Sequence, residues 1–337
     1  MDADRVYIPI QPEEIQALDR ATGAKVWKRN IESARPPVLH DDVLFVAASD
    51  EIHALDPATG GQKWRTSFEK PMISPLVSSG EILVAVFDPG DVIAFAADDG
   101  RTVWTRALGA ASRHAPVSDG TRLFFALDDS RIVALAVADG ARAWELKLDG
   151  MLSQPSVARD RVFVGSTNNS LYALDNEKGR LAWRWRSGGD VVGESAGLKD
   201  RIYYASLDNV LRAVNRGSGN QQWIRQIATR PVLPPRTLGG EPDYEEIVVL
   251  VGVTSEIDAF VAKDGLPAGI YVPPSDLLGA PLIDPELKPY RVAMVVITRD
   301  GRAIGLRPTA MNLPEPANTP FTTELPGRRL ERERVTR

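Results

Sequence analysis

The side chains best suited to metal binding or to proton transfer near neutral pH are three histidines, His40, His53 and His114. They lie far apart in the sequence, and no pair has the close spacing that brings two imidazoles onto one metal ion. The chain has no cysteine, which excludes a disulfide, a thiolate nucleophile, a Cys-type zinc site and an iron–sulfur cluster. We therefore predict no catalytic residue, no metal ligand and no bound cofactor, and we interpret the histidines as surface or packing residues.

A second group of polar side chains lies beside prolines that recur along the chain. If these segments converge on one axis, their polar groups line the mouth of a channel and could bind a small ligand, although a water-filled mouth has the same composition. The members of this candidate channel-mouth set are Arg35, Ser74, Arg113, His114, Gln154 and Glu194.

Composition narrows the class of partner. The 337 residues are 43% hydrophobic and 25% charged, which is an ordinary globular balance, and the formal net charge of -5 argues against a nucleic-acid partner. No apolar run is as long as the about 18 residues that a transmembrane helix needs. The N-terminus, MDADRVYIPI, lacks the basic and then apolar order of an export signal. We expect a chain with no transmembrane segment and no signal peptide.

The elements that must position these residues are defined by an internal repeat. Residues 15–27 read IQALDRATGAKVW and residues 52–64 read IHALDPATGGQKW. Further copies lie at 92–104, 132–144, 171–183, 211–223 and 257–269, and a degenerate copy lies at 303–311. The aligned glycines, from Gly23 to Gly265, are spaced by 37, 40, 40, 39, 40 and 46 residues. A period near 40 indicates a propeller or a solenoid, and the lack of a sustained helical period favours the propeller.

Each repeat reads as four short strands. A proline-marked strand is followed by a run rich in β-branched and aromatic residues, then by the alternating segment that holds an invariant alanine, then by an Asp/Gly turn and a last strand. Four strands in about 40 residues are one propeller blade. We predict an all-β, eight-bladed β-propeller of four-stranded antiparallel blades, a single domain over residues 1–327, and a flexible charged tail over 328–337.

Six tryptophans occupy one column of the repeat, whereas a cofactor site would use aromatic residues at unrelated positions. Repetition favours a structural role, and we predict that each indole packs between adjacent blades. The predicted blade-docking residues are Trp27, Trp64, Trp104, Trp144, Trp183 and Trp223, and Trp185 falls outside the column.

The repeat [LIV]-x-A-[LF]-D-x-x-T-G-x-x-x-W resembles that of the quinoprotein-like β-propellers, over about residues 4–310. That family includes dehydrogenases that use pyrroloquinoline quinone (PQQ) and the non-enzymatic outer-membrane β-barrel assembly lipoprotein B. The resemblance implies, for an enzyme, a vicinal disulfide over the cofactor and a calcium ion held by Glu, Asn and Asp. The sequence departs from this pattern, since it has no cysteine and no obvious group of such ligands.

The resemblance therefore implies a non-catalytic scaffold for protein–protein interaction in bacterial envelope or outer-membrane protein assembly. We expect it to be monomeric and periplasmic or otherwise extracytoplasmic. Two alternatives remain open: a quinoprotein-type, PQQ-dependent oxidoreductase, and an extracytoplasmic domain that senses a ligand or polysaccharide. Two long, proline-rich segments, 230–246 and 272–290, are candidate partner contacts.

Ring closure departs from the repeat. No room exists for a proline-marked strand before residue 5, so we predict that blade 1 has one strand fewer than the others. The segment 319–327 is the remaining strand-like stretch, and chain order favours its use as the outer strand of blade 8.

Overall fold

The structure is a computed structural model, and it describes residues 1–10, 13–32, 35–191, 193–228, 230–231, 233–239, 245–284, 292–306 and 321–324. Over these ranges the chain forms eight antiparallel sheets in chain order, seven of four strands and one of three. The prediction of an eight-bladed, all-β propeller is confirmed. The tail at 328–337 and parts of the two proline-rich segments, 240–244 and 285–290, lie outside the described residues. Over the described ranges, the structure contains no helix with the length and apolarity that a bilayer crossing requires.

The blades follow one another along the chain. The strands of the first four are β1 (Arg5–Ile10), β2 (Glu14–Asp19) and β3 (Lys25–Asn30); β4 (Val38–His40), β5 (Val43–Ala47), β6 (Glu51–Leu55) and β7 (Gln62–Ser67); β8 (Val77–Ser79), β9 (Ile82–Phe87), β10 (Asp91–Ala96) and β11 (Thr102–Ala107); and β12 (Val117–Ser118), β13 (Arg122–Ala126), β14 (Arg131–Ala136) and β15 (Arg142–Lys147).

The remaining blades repeat this order. Their strands are β16 (Ser156–Ala158), β17 (Arg161–Ser166), β18 (Ser170–Asp175) and β19 (Leu181–Arg186); β20 (Ala196–Leu198), β21 (Arg201–Ser206), β22 (Val210–Asn215) and β23 (Gln221–Gln226); β24 (Arg236–Leu238), β25 (Ile247–Val251), β26 (Ile257–Val261) and β27 (Pro267–Tyr271); and β28 (Leu282–Ile283), β29 (Met294–Ile297), β30 (Arg302–Leu306) and β31 (Phe321–Glu324).

Burial explains the composition of the strands. The second strand of a blade is covered on both faces by neighbouring blades, and every residue of β9 is buried. The outer strand is largely solvated, and in β11 only Trp104 is buried. A continuous apolar run therefore marks the second strand, and in six blades a tryptophan that is buried or partly buried marks the fourth.

The repeated Asp/Gly turn joins the third strand to the fourth. The Asp56 carboxylate accepts hydrogen bonds from the backbone N–H groups of Ala58 and Thr59, at 2.9 and 2.8 Å. Gly60 then takes a φ of +69°, in the left-handed region that glycine enters without strain. The turn chemistry read from the sequence thus fixes the hairpin locally.

Antiparallel order gives the propeller two unlike ends. We call the end formed by the first-to-second and third-to-fourth strand turns the turn face. The opposite end, formed by the second-to-third strand turns and the connections between blades, is the loop face.

The ring closes as predicted from chain order. Blade 1 has three strands, which correspond to the second to fourth strands of the other blades, and β31 pairs with β30 as the outer strand of blade 8. One apolar cluster joins the first and last blades: Val6, Ile8 and Leu18 pack with Val292, Val295 and Ala303. Arg20, only 3% exposed, donates to the Val292 carbonyl at 2.8 Å and pairs with Asp284 at 2.7 Å.

Candidate functional site

The candidate channel mouth lies where the first strands of the blades meet. First strands of consecutive blades contact one another, β4 with β8, β12 with β16, β16 with β20 and β20 with β24. Such contacts are expected only of the innermost strands of a propeller, so the first strands surround the axis. The candidate channel-mouth residues lie in or just before these strands, at the loop face.

Two of the predicted residues meet across a blade boundary. Gln154 Nε2 donates to Glu194 Oε2 at 3.4 Å, and Arg236 Nη1 donates to the same oxygen at 3.0 Å. These three side chains belong to blades 5, 6 and 7 and form a continuous polar chain around part of the mouth. The Glu194 carboxylate is half-buried and accepts both of these hydrogen bonds, so both are charge-assisted.

Arg236 was not among the predicted residues. It occupies the first position of β24, opposite Val249, whereas the corresponding position of β8 is Val77, opposite Val84. The prediction drew on the residues before each first strand and therefore missed a charged residue inside one. Extending the search by one residue past Pro235 would have included Arg236.

Ser74 does not line the mouth. It is fully buried, its Oγ accepts a hydrogen bond from Val86 N–H at 2.9 Å, and its hydroxyl donates to the Pro75 carbonyl at 3.0 Å. Ser153, in blade 5, accepts from Gly165 N–H at 3.0 Å in the same way. This serine satisfies a backbone donor at the end of the second strand, so it cannot contact a ligand in the channel.

The remaining predicted residues are held by separate contacts. Arg113 is exposed and pairs with Asp128 of its own blade at 2.9 Å. Burial lowers the pKa of His114, while a hydrogen bond with the Leu152 backbone and the charge of Asp128 oppose that shift. Arg35 donates to the Met72 carbonyl in the next blade, and burial lowers the pKa of its guanidinium.

The other histidines do not join His114. His40 Nε2 is 2.7 Å from the Gly80 carbonyl, on the turn face, and His53 lies 3.4 Å from Glu51 on β6. Over the described ranges, no three His, Asp or Glu side chains come together in an arrangement that could hold a metal ion.

The repeated tryptophans lie between blades. Each indole N–H donates to a backbone carbonyl of the following blade, and the ring rests on the glycine of that blade's turn, as Trp104 does on Gly140. A Cβ added to Gly140 would lie 2.6 Å from the Trp104 ring, so only glycine fits there. The six donor–acceptor pairs are Trp27–Pro57, Trp64–Ala97, Trp104–Val137, Trp144–Asn176, Trp183–Arg216 and Trp223–Ala262.

A strongly perturbed carboxylate lies in the loop-face turn of blade 6. Burial raises the pKa of Asp208, but hydrogen bonds from Arg212, Ser206 and the Gly188 amide outweigh it and lower that pKa to about 2. The Arg212 guanidinium reaches the carboxylate at 2.5 Å. Asp208 is therefore an ionised partner of Arg212 at neutral pH.

Similarity to known proteins adds to this geometry. A family model described as the outer membrane protein assembly factor BamB matches residues 11–151 and 128–267. The chain belongs to this family. The BamB-like, PQQ-like repeat identified in the sequence is thereby confirmed, and distant relatives include PQQ dehydrogenases.

Individual relatives fall into two groups. The chain is 29% identical to a polyvinylalcohol dehydrogenase from a Pseudomonas species over 119 residues, which cover 33% of this chain and 18% of that enzyme. It is 26% identical to BamB from Shewanella oneidensis over 111 residues, which cover 32% of this chain and 27% of that protein. The chain thus matches less than a third of the length of either relative.

The crystal structure of BamB from Moraxella catarrhalis superposes with a TM-score of 0.66. It covers 91% of this chain and 92% of that protein at 18% sequence identity. The two chains share the propeller fold over nearly their whole lengths.

Proposed function

We propose that this chain is a non-catalytic scaffold that binds partner proteins in the bacterial envelope, in the assembly of outer-membrane proteins. The observation that carries the proposal is the channel mouth, where Gln154, Glu194 and Arg236 bond to one another across three blades. A polar set that is paired in this way gives a rigid rim. Membership of the BamB family supports the setting.

Exposed apolar side chains on the loop face support a protein partner. Met151, in the connection to blade 5, is 65% exposed, and Val253, in the second-to-third strand turn of blade 7, is 63% exposed. Leu278, in the connection to blade 8, is 41% exposed. Apolar side chains beside a polar rim are typical of a protein-binding surface.

The test is a pull-down from envelope extract with the purified full chain as bait. We expect discrete envelope proteins to be retained, and retention to fall when Met151 and Val253 are both changed to Asp. Leu181→Asp is the matched control, because Leu181 is also exposed, at 51%, but lies on the outer strand β19. Retention of no specific protein by the unaltered chain would contradict the proposal.

A PQQ-dependent oxidoreductase is the second candidate, and the similarity to a polyvinylalcohol dehydrogenase favours it. PQQ is titrated with Ca²⁺ while absorbance and the reduction of an electron-accepting dye are followed. We expect neither saturable binding nor turnover with alcohols. Turnover at the channel mouth would replace the scaffold proposal with an enzymatic one.

A further inference from the structure

One position of the repeat bridges neighbouring blades on the turn face. The residue directly after the third strand of a blade faces the turn that follows the first strand of the preceding blade. In three blades this residue has a side-chain N–H donor, which bonds to a carboxylate of that turn. The pairs are Arg20–Asp284 at 2.7 Å, Asn176–Asp119 at 2.9 Å and Arg216–Asp160 at 2.5 Å.

Blades 3 and 4 lack this bridge. Their residues at the same position are Ala97 and Val137, whose side chains have no donor for such a bond. The turns that they face still carry carboxylates, Asp41 in blade 2 and Glu81 in blade 3. All four residues line one cavity of about 650 Å³. We call this cavity the turn-face cleft.

The cleft carries unneutralised negative charge. The Asp41 carboxylate is 88% exposed, and within the described ranges it pairs only with His40, at 3.3 Å. Among the described residues, the Glu81 side chain has no ion pair. Asp98 adds a third carboxylate, and Arg101, the one cation among the arginines and lysines of the lining, already pairs with Asp99 at 3.7 Å.

The floor of the cleft is apolar. Phe45 and Ile82 are buried beneath it, and Val43 and Val103 form part of its walls. Val103 is 46% exposed on the outer strand β11, which gives an incoming apolar side chain a surface to cover. An occupant therefore needs a positive charge and an apolar neighbour.

We propose that the turn-face cleft binds an arginine side chain of a partner protein, presented on an extended segment with an apolar residue beside it. The guanidinium would lie at the boundary between blades 2 and 3, in the position that Arg216 and Arg20 fill at other boundaries, and would bond to Asp41, while Glu81 adds negative charge from the next boundary. Arginine suits this site because its planar donors form paired bonds with carboxylates and it stays charged at every physiological pH. The inference rests on the proposed scaffold function and names the chemistry of one partner.

The experiment uses the full chain and two blocked peptides, acetyl-Val-Arg-Leu-Val-amide and the same peptide with citrulline in place of arginine. Citrulline keeps the shape of the side chain and removes its charge. Calorimetric titration should give saturable binding of the arginine peptide and at least about tenfold weaker binding of the citrulline peptide. Raising the salt concentration should weaken only the arginine peptide.

Variants of the chain locate the site. Ala97→Arg supplies the missing bridge from within, so the folded variant should lose peptide binding. The pair Asp41→Asn and Glu81→Gln should weaken binding about tenfold, and Glu177→Gln, an exposed carboxylate on the turn face of blade 5, should leave it unchanged. Circular dichroism confirms that each variant is folded.

Four results would overturn the inference: no binding of the arginine peptide, equal binding of the citrulline peptide, unchanged binding by folded Ala97→Arg, or displacement of the peptide by Ca²⁺ at equimolar concentration. The pull-down experiment distinguishes failure of the arginine-site proposal from failure of the scaffold proposal. If the unaltered chain retains envelope proteins but binds neither peptide, the scaffold proposal is supported and the arginine-site proposal is wrong. If it retains none, the scaffold proposal falls whatever the peptides do.

Discussion

Trp144 shows what one repeated residue contributes to the fold. Its indole is 9% exposed, donates to the Asn176 carbonyl at 2.9 Å and covers Gly179 in the next blade. We expect Trp144→Ala to lower the free energy of unfolding by about 3–5 kcal/mol, because a large buried side chain is replaced by a cavity between two blades. Urea denaturation followed by far-ultraviolet circular dichroism measures the change.

Trp185 is the matched control for this substitution. It lies on β19 opposite Leu171, is only partly buried, and its Nε1 has no hydrogen-bond partner among the residues that the structure describes. Trp185→Ala should therefore have a smaller effect than Trp144→Ala. Equal and small losses would mean that the tryptophan column does not hold the blades together.

Asp208 makes part of the stability depend on pH. Its pKa of about 2 in the folded chain lies below the unfolded value of about 4, so its bond with Arg212 stabilises the fold above pH 4 and is lost as the pH falls towards 2. The stability difference between the unaltered chain and Asp208→Asn should be constant above about pH 5 and shrink towards zero near pH 2. Urea denaturation at several pH values tests this, and an undiminished difference at low pH would contradict it.

Predictions about single residues succeeded at positions where the repeat carries the same residue many times. The repeated glycine and tryptophan positions can be recognised in the sequence because the repeat of about 40 residues places each copy in the same structural environment. Ser74 was misjudged because the sequence does not show that its hydroxyl accepts a hydrogen bond from the Val86 N–H. Arg236 was missed because it lies inside a first strand, and first strands have only two or three residues. In so short a strand, alternation does not reveal which side chain faces the axis and which faces the blade.

At the scale of the elements, β31 determines whether blade 8 is complete. Deleting residues 318–337 removes the outer strand that pairs with β30 and leaves an unpaired strand edge. We expect a lower melting temperature and concentration-dependent association in size-exclusion chromatography. Deleting only residues 328–337 leaves β31 in place and should change neither property. Identical behaviour of both truncated chains and the full chain would rule out β31 as part of the ring.

The elements themselves were the most predictable part of the molecule. Apolar runs with β-branched residues marked the second strands, and the Asp/Gly turn fixed where the third strand ends. The three-stranded blade 1 also followed from counting strands. The cross-blade bridges could not be predicted, because Arg20, Asn176 and Arg216 find their partners only once blade geometry is known.

At the scale of the whole molecule, Arg20 couples the first and last blades. Without the Arg20 guanidinium, the Val292 carbonyl and the Asp284 carboxylate would each lose a hydrogen-bond donor at a buried site. Arg20→Met should cost about 3–5 kcal/mol of unfolding free energy and speed unfolding. Stopped-flow denaturation gives both quantities.

Arg216→Met is the control for this bridge. Arg216 occupies the same position of the repeat, but its partner Asp160 is 61% exposed, so the loss should be about 0–1 kcal/mol. Similar losses for the two variants would show that the boundary between blades 8 and 1 has no special weight in stability.

The cluster that joins blade 1 to blade 8 also has a consequence during synthesis. Each later blade can pack against its predecessor as soon as the ribosome has produced it, but Val6, Ile8 and Leu18 can pack with Val292, Val295 and Ala303 only after residue 303 has been synthesised. Until then the nascent protein exposes the apolar face of blade 1 that blade 8 later covers. Aggregation competes with folding throughout this interval. A chaperone that binds exposed apolar surface would therefore bind blade 1 and be released once blade 8 has formed.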